Sequence, residues 1–255
     1  MSVEDDIDDF LTSLLLERGL SPNTCTGYGS DLRSFAASLK RRNICQSAAV
    51  TRDDIVAFLA DEREKGLKGS TRARRTAAIR MFFRHLKERR RIAADPSERM
   101  DPPKKAKVLP RILAEDEVFR MIEEVKDEDP RSLRDRAILE VLYGCGLRVS
   151  ELCALKREDI VADGELLRIL GKGSKGRIVP IGAAAGRALQ RYFDAARESF
   201  VRGDLSVTHV FVTRLGRPFT RQGVFKIIRE RAAAVGIAAD RISPHVLRHC
   251  FASHM

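Results

Sequence analysis

The sequence predicts a mainly α protein with one small β-sheet, divided into two domains. Three observations lead there. Apolar residues recur at three- and four-residue spacing through most of the 255 residues, the period of a helix buried along one side. One pair of short apolar runs, LLRIL and GRIVP, flanks a glycine-rich turn and reads as a hairpin. The helical pattern lapses once, around Pro96, Pro102, Pro103 and Pro110, where a rigid connection is expected. The length suits two modest domains.

The first domain, 1–91, reads as four helices. Ile7, Phe10, Leu11, Leu14 and Leu15 make the apolar stripe of the first. Ser21-Pro22 sets a cap and a first-turn proline ahead of the second, which runs to about Lys40. Thr51 caps the third, with acidic residues in its first turn where the helix dipole favours them. Ser70 opens the fourth, whose Ile79, Phe82, Phe83 and Leu86 lie apart from a basic stripe of Arg72, Arg80, Arg84, Lys87 and Arg91. Residues 92–112 form the linker, with Lys104, Lys105 and Lys107 either solubilising it or tracking a phosphate backbone. The second domain, 113–255, places helices at 114–125, 131–144, 148–156, 183–200 and 220–235, with the hairpin between the third and fourth. HVFVT (209–213) reads as a further strand.

Composition excludes several classes of protein. With 44% hydrophobic residues the chain can bury a core, so wholesale disorder is out. No run of about 18 uncharged apolar residues is present for a membrane span, and the acidic start MSVEDDIDDF lacks a secretory signal's basic and apolar regions. Cys25, Cys45, Cys145, Cys153 and Cys250 are odd in number and form no CxxC pair, which argues against a disulfide framework or zinc knuckle and suits a cytoplasmic protein. The net charge is +11, and the stretch from Arg63 to Arg91 carries most of it: twelve Lys and Arg against Glu64 and Glu88. Charge runs usually end as solvated faces, but those mix signs and this one hardly does; a face for a polyanion is the sharper reading.

Three segments carry candidate chemistry. Arg148 follows Cys145-Gly146-Leu147 at a helix start and has Glu151 or Asp159 as ordinary structural partners. The turn Gly171-Lys172-Gly173-Ser174-Lys175-Gly176 lacks GxxxxGK[ST], so it is no nucleotide-binding P-loop. His245 and His249 have the spacing of two metal ligands, yet no HExxH or third ligand accompanies them, and no metal or other cofactor is expected. Together, two arginines, a lysine and a histidine suffice to stabilise a phosphoryl transition state without metal. Guanidiniums fork onto phosphate oxygens, a lysine protonates a leaving alkoxide, and a histidine handles a further proton.

GLRVSELCAL (146–155), ILGKGSKGRIVPIG (169–182) and SPHVLRHCFASH (243–254), with SPNTCTGY upstream, make the chain resemble the tyrosine recombinases of the phage integrase family, especially the Xer type. The resemblance covers nearly the whole chain. It implies a SAM-like helical core-binding domain and a catalytic domain that close around double-stranded DNA, self-assembling as a tetramer with a sister recombinase as a possible partner. It implies site-specific strand exchange through a phosphotyrosine, in chromosome dimer resolution. Arg148 and Arg248 would clamp the scissile phosphate, Lys172 would be the general acid, His245 would assist, and Glu151 would support the site. Arg72, Arg74, Arg75, Arg80, Arg84, Lys87, Lys104, Lys105, Lys175 and Arg177 are the expected DNA contacts.

The sequence departs from the family at one point. The family's nucleophilic tyrosine follows HxLRH, and here the only tyrosines are Tyr28, Tyr143 and Tyr192, all before it. CFASHM stops inside a helical pattern, which reads as a truncated product of a longer gene; the alternatives are an inactive DNA-binding relative and, for biological role, a phage- or transposon-type integrase.

Overall fold

The computed structural model describes residues 1–17, 20, 22–100, 112–126, 128–170 and 176–254. Lys104, Lys105, Lys172 and Lys175 lie outside the described residues. The chain forms two compact units, 1–108 and 109–255.

The first unit holds α1 (Val3–Leu16), α2 (Pro22–Arg41), α3 (Arg52–Glu64) and α4 (Gly69–Glu88). Local chemistry sets the starts of α1 and α3. Ser2 and Asp5 exchange hydrogen bonds of 2.9 and 3.1 Å between side chains and backbone, as Thr51 and Asp54 do at 3.0 and 3.3 Å. The start of α4 differs from expectation. Its first residue is Gly69, and Lys68 precedes it with no side-chain cap, so Ser70 sits inside the first turn. The core is aromatic: Phe10 meets Phe82 edge-on at 5.7 Å, and Phe35 meets Phe58 and Phe83 at 5.2 and 6.2 Å. Ile92 and Ser97 are buried and Met100 packs on the same core, so ordered packing in this unit continues into residues expected as linker.

The second unit is built around α6 (Pro130–Gly144), whose Ala137, Ile138, Leu139, Val141 and Leu142 are all buried. Asp129 caps it and Pro130 occupies its first turn, where a missing N–H costs nothing. Around it lie α5 (Glu115–Glu123), α7 (Val149–Ala154), α8 (Ala183–Tyr192), α9 (Glu198–Val201), α10 (Arg221–Ala234) and α11 (Pro244–His254). The sheet is antiparallel, in the order β1 (Ile160–Val161), β2 (Leu166–Leu170), β3 (Gly176–Pro180), and Leu170 opposite Gly176 confirms the hairpin. β1 is an addition to the elements expected from sequence, and α11 gives bounds to the helical pattern expected through CFASHM.

The helix anticipated over 183–200 runs from α8 to α9 through a π-helical turn at Phe193–Arg197. One expectation in this unit is corrected. The strand anticipated at 209–213 forms only the isolated bridges Lys156–His209 and Val212–Pro218. The reason is a competition for carbonyls. Arg197, buried by the π turn, donates to the carbonyls of Val207, His209 and Val210. Tyr192 adds a bond to Val210 and Arg134 one to Val212. Side chains have taken the acceptors a neighbouring strand would need.

Candidate active site

The site begins at the end of α6. Cys145 caps that helix, and Gly146 turns the chain with φ at +55°. A Cβ at Gly146 would stand 2.3 Å from the Phe251 ring of α11, so this position excludes a side chain both by conformation and by space. The close approach brings α11 against the loop, and Arg248 donates through Nη1 to the Gly146 carbonyl. Leu147 is buried, and Arg148 then stands at the N-cap of α7, with Glu151 reaching back to its backbone N–H at 2.8 Å.

Glu151 is the centre of the arrangement. Its side chain is 7% exposed, and Arg148 Nη1 donates to it at 2.8 Å. Arg177 of β3 donates through Nη1 and Nη2, at 2.9 and 2.8 Å, one to each carboxylate oxygen. Arg248 Nη1 stands 3.7 Å away. One carboxylate therefore gathers three guanidiniums, an excess of two positive charges on groups a third to a half exposed. Burial pushes Glu151 up, but the hydrogen bonds from Arg177 and Arg148 outweigh it and bring its pKa down to about 2. Burial and the neighbouring Arg148 lower that of Arg248. Such a cluster is built to receive an anion.

A depressed carboxylate stabilises the fold above its unfolded pKa, and the gain is lost as pH falls through the folded one. From about 4.5 unfolded to about 2 folded, Glu151 supplies on the order of 2–3 kcal/mol. Stability of the wild-type chain should fall between about pH 5 and pH 2 by that much more than in Glu151→Gln. Equal acid slopes in denaturant titrations at several pH values would reject this.

His245 is exposed and three residues before Arg248 on α11, hence on the same side of the helix. Asp159 is not a partner of Arg148: it lies against Arg168 at 3.8 Å and accepts from the backbone of Lys156. No group of three metal-ligating side chains occurs among the described residues. Burial raises the thiols of Cys145 and Cys153 to about 11, which leaves them poor nucleophiles. Tyr192 is wholly buried and bonded to Val210, with its pKa pushed up to about 12. Tyr143 is hydrogen-bonded to His254 Nδ1 at 3.0 Å, and Tyr28 packs on the core of the first unit.

The basic residues of α4 separate into two groups. Arg75 turns inward, where it pairs with Asp31 at 3.3 Å and with Glu62 and lies over the Phe58 ring. Arg74 is tied to Asp31 and the Gly27 carbonyl, and Arg91 to Asp6 and Asp9. Lys87 reaches Glu98 at 3.1 Å, on the surface. The Arg72 Nε is buried without a hydrogen bond. Arg80 and Arg84 form no ion pair or hydrogen bond among the described residues. Arg177 lies on Glu151, a role its position in the sequence did not signal, because the two are 26 residues apart.

Residues 111–255 match the phage integrase family, and residues 7–90 match its N-terminal SAM-like domain. The chain is 40% identical over 255 residues to tyrosine recombinase XerC of Roseiflexus castenholzii, a match covering 99% of this chain and 81% of that protein. It is 37% identical over 254 residues to tyrosine recombinase XerD of Listeria monocytogenes, covering 99% and 85%. Among solved structures, a lambda integrase dimer bound to a COC' core site shares the fold with a TM-score of 0.75 at 18% identity, covering 99% of this chain and 89% of that one.

Proposed function

The chain belongs to the tyrosine recombinases of the phage integrase family, and from that premise we propose that it binds duplex DNA and supplies the phosphate-activating half of a site-specific strand-exchange site. The observation that carries the reading is the meeting of Arg148 and Arg248 around one buried carboxylate, with two positive charges in excess. In this reading the two guanidiniums hold the scissile phosphate and stabilise the charge that develops on its oxygens. Lys172 protonates the departing 5′-oxygen, and His245, on the same side of α11 as Arg248, assists. Glu151 keeps Arg148 in place. In this reading several copies assemble on DNA, as in the lambda integrase dimer bound to its core site, and chromosome dimer resolution, which the Xer-type resemblance implies, is the biological setting.

None of the three tyrosines suits the nucleophile. Tyr192 is enclosed, Tyr143 is held by His254, and Tyr28 packs on the core of the first unit. We therefore assign DNA binding and phosphate activation to these residues, and the role of nucleophile to none of Tyr28, Tyr143 and Tyr192.

Arg80 and Arg84 are the DNA-facing residues of α4 in this proposal, because their charge is not spent within the protein. Arg75 is not one of them. Duplex affinity should fall steeply with salt, each neutralised phosphate adding about −0.9 to the log–log slope. The Arg80→Glu, Arg84→Glu variant should bind more weakly across unrelated sequences and with a shallower slope, by about 2. Fluorescence anisotropy at several salt concentrations measures both; an unchanged slope removes α4 from the DNA face.

A further inference from the structure

We propose that Arg177 is a positioning residue of the phosphate site, holding the Glu151 carboxylate so that Arg148 and Arg248 keep N–H groups for the phosphate. The inference rests on reading Arg148 and Arg248 as a phosphate clamp, and it places Arg177 behind the clamp, where its place in the sequence suggested a DNA contact.

Geometry carries it. Arg177 meets Glu151 fork to fork, one nitrogen on each oxygen at 2.9 and 2.8 Å. The backbone N–H and Nη1 of Arg148, both at 2.8 Å, complete a set of four donors. Arg248 at 3.7 Å is left outside hydrogen-bonding distance, and its own bond goes to the Gly146 carbonyl. A carboxylate buried to this degree must be paired. Without Arg177, its vacated positions would fall to the nearest cations, Arg148 and Arg248. Each would then give to Glu151 the N–H groups and the charge that a phosphate needs.

Charge points the same way. Three guanidiniums against one carboxylate leave an excess of two, and removing Arg177 leaves one. Arg177 also stands on β3 opposite Ile169 of β2, so its grip on Glu151 fastens the hairpin to α7. A lysine there would offer a single point contact in place of the planar fork.

The test uses the 255-residue chain labelled with 15N and 13C and inorganic phosphate as the probe. Phosphate should move the Nε–Hε signals of Arg148 and Arg248 along one saturable curve. In Arg177→Ala the phosphate dissociation constant should rise on the order of tenfold, the low end for partners that orient a ligating side chain. The Glu151 carboxyl titration should rise by about one pH unit or more, because its two-pronged partner is gone. Arg177→Lys should recover part of both, and it carries the comparison if the alanine variant fails to fold. A role in fold stability alone would lower the melting temperature and leave phosphate affinity and the Glu151 titration where they were; that result overturns the inference. Phosphate that moves neither arginine in the wild-type chain overturns the clamp reading itself, and is distinguishable because the Glu151 titration still reports on Arg177.

Discussion

Gly146→Ala should destabilise the second unit by about 3 kcal/mol or more, from two causes that add. A left-handed backbone costs a residue with a Cβ about 1–2 kcal/mol. The new methyl would also lie 2.3 Å from the Phe251 ring, and overpacking of this kind costs about 1–3 kcal/mol. If the ring yields by moving α11, Arg248 would be drawn off the Gly146 carbonyl and away from Glu151. Chemical denaturation should show the loss, and phosphate titration should show a weakened site in whatever fraction stays folded. A change below about 1 kcal/mol would mean that α11 accommodates the methyl group freely.

The second large effect concerns catalysis, in a chain that carries these residues together with a tyrosine nucleophile. Arg148→Ala and Arg248→Ala should each lower the rate of phosphotyrosyl adduct formation by about 10²–10³-fold, the loss expected when one preorganised donor to developing charge is removed. Duplex affinity should change much less, since the scissile phosphate is one contact among many. Arg148→Lys should recover little, because an ammonium cannot serve Glu151 and a phosphate with one planar fork. The double variant should cost less than the product of the singles, as the two guanidiniums act on one group. A nicked suicide duplex, with adducts resolved by denaturing gel and mass spectrometry, supplies the rates. Unchanged adduct formation in either single variant would remove that arginine from the clamp. An adduct on Tyr28, Tyr143 or Tyr192 would overturn the reading that none of these three is the nucleophile.

What the sequence made legible follows the range of the interaction concerned. The start of α3 could be seen because Thr51 and the acidic residues after it act within one helical turn. The hairpin was visible because a glycine-rich turn between two apolar runs is a local signal. Arg148, Glu151 and Arg248 stood out through motifs, and the structure brings them together. The inward turn of Arg75 was not legible. Its partners Asp31 and Glu62 are on other helices, and a helical wheel shows which side of α4 a residue occupies but not which carboxylates wait there. For the same reason the pairing of Arg177 with Glu151 needed the folded unit. The apolar run at 209–213 has the side chains of a strand, and it fails to become one because Arg197, Tyr192 and Arg134 reach its carbonyls first.

That last arrangement bears on how the protein fails. VTHVFVT is an uncharged, β-prone segment without proline, the composition from which cross-β aggregates start. In the native chain the carbonyls of Val207, His209, Val210 and Val212 accept from two arginines and a tyrosine, and Val210, Phe211 and Val212 are buried, so it offers no template to another molecule. The π turn that buries Arg197 thus acts as a gatekeeper, and it guards by binding backbone instead of by placing charge beside the segment. Loss of Arg197 would do more than subtract hydrogen bonds: it would release an adhesive edge, and solubility would decline before secondary structure did.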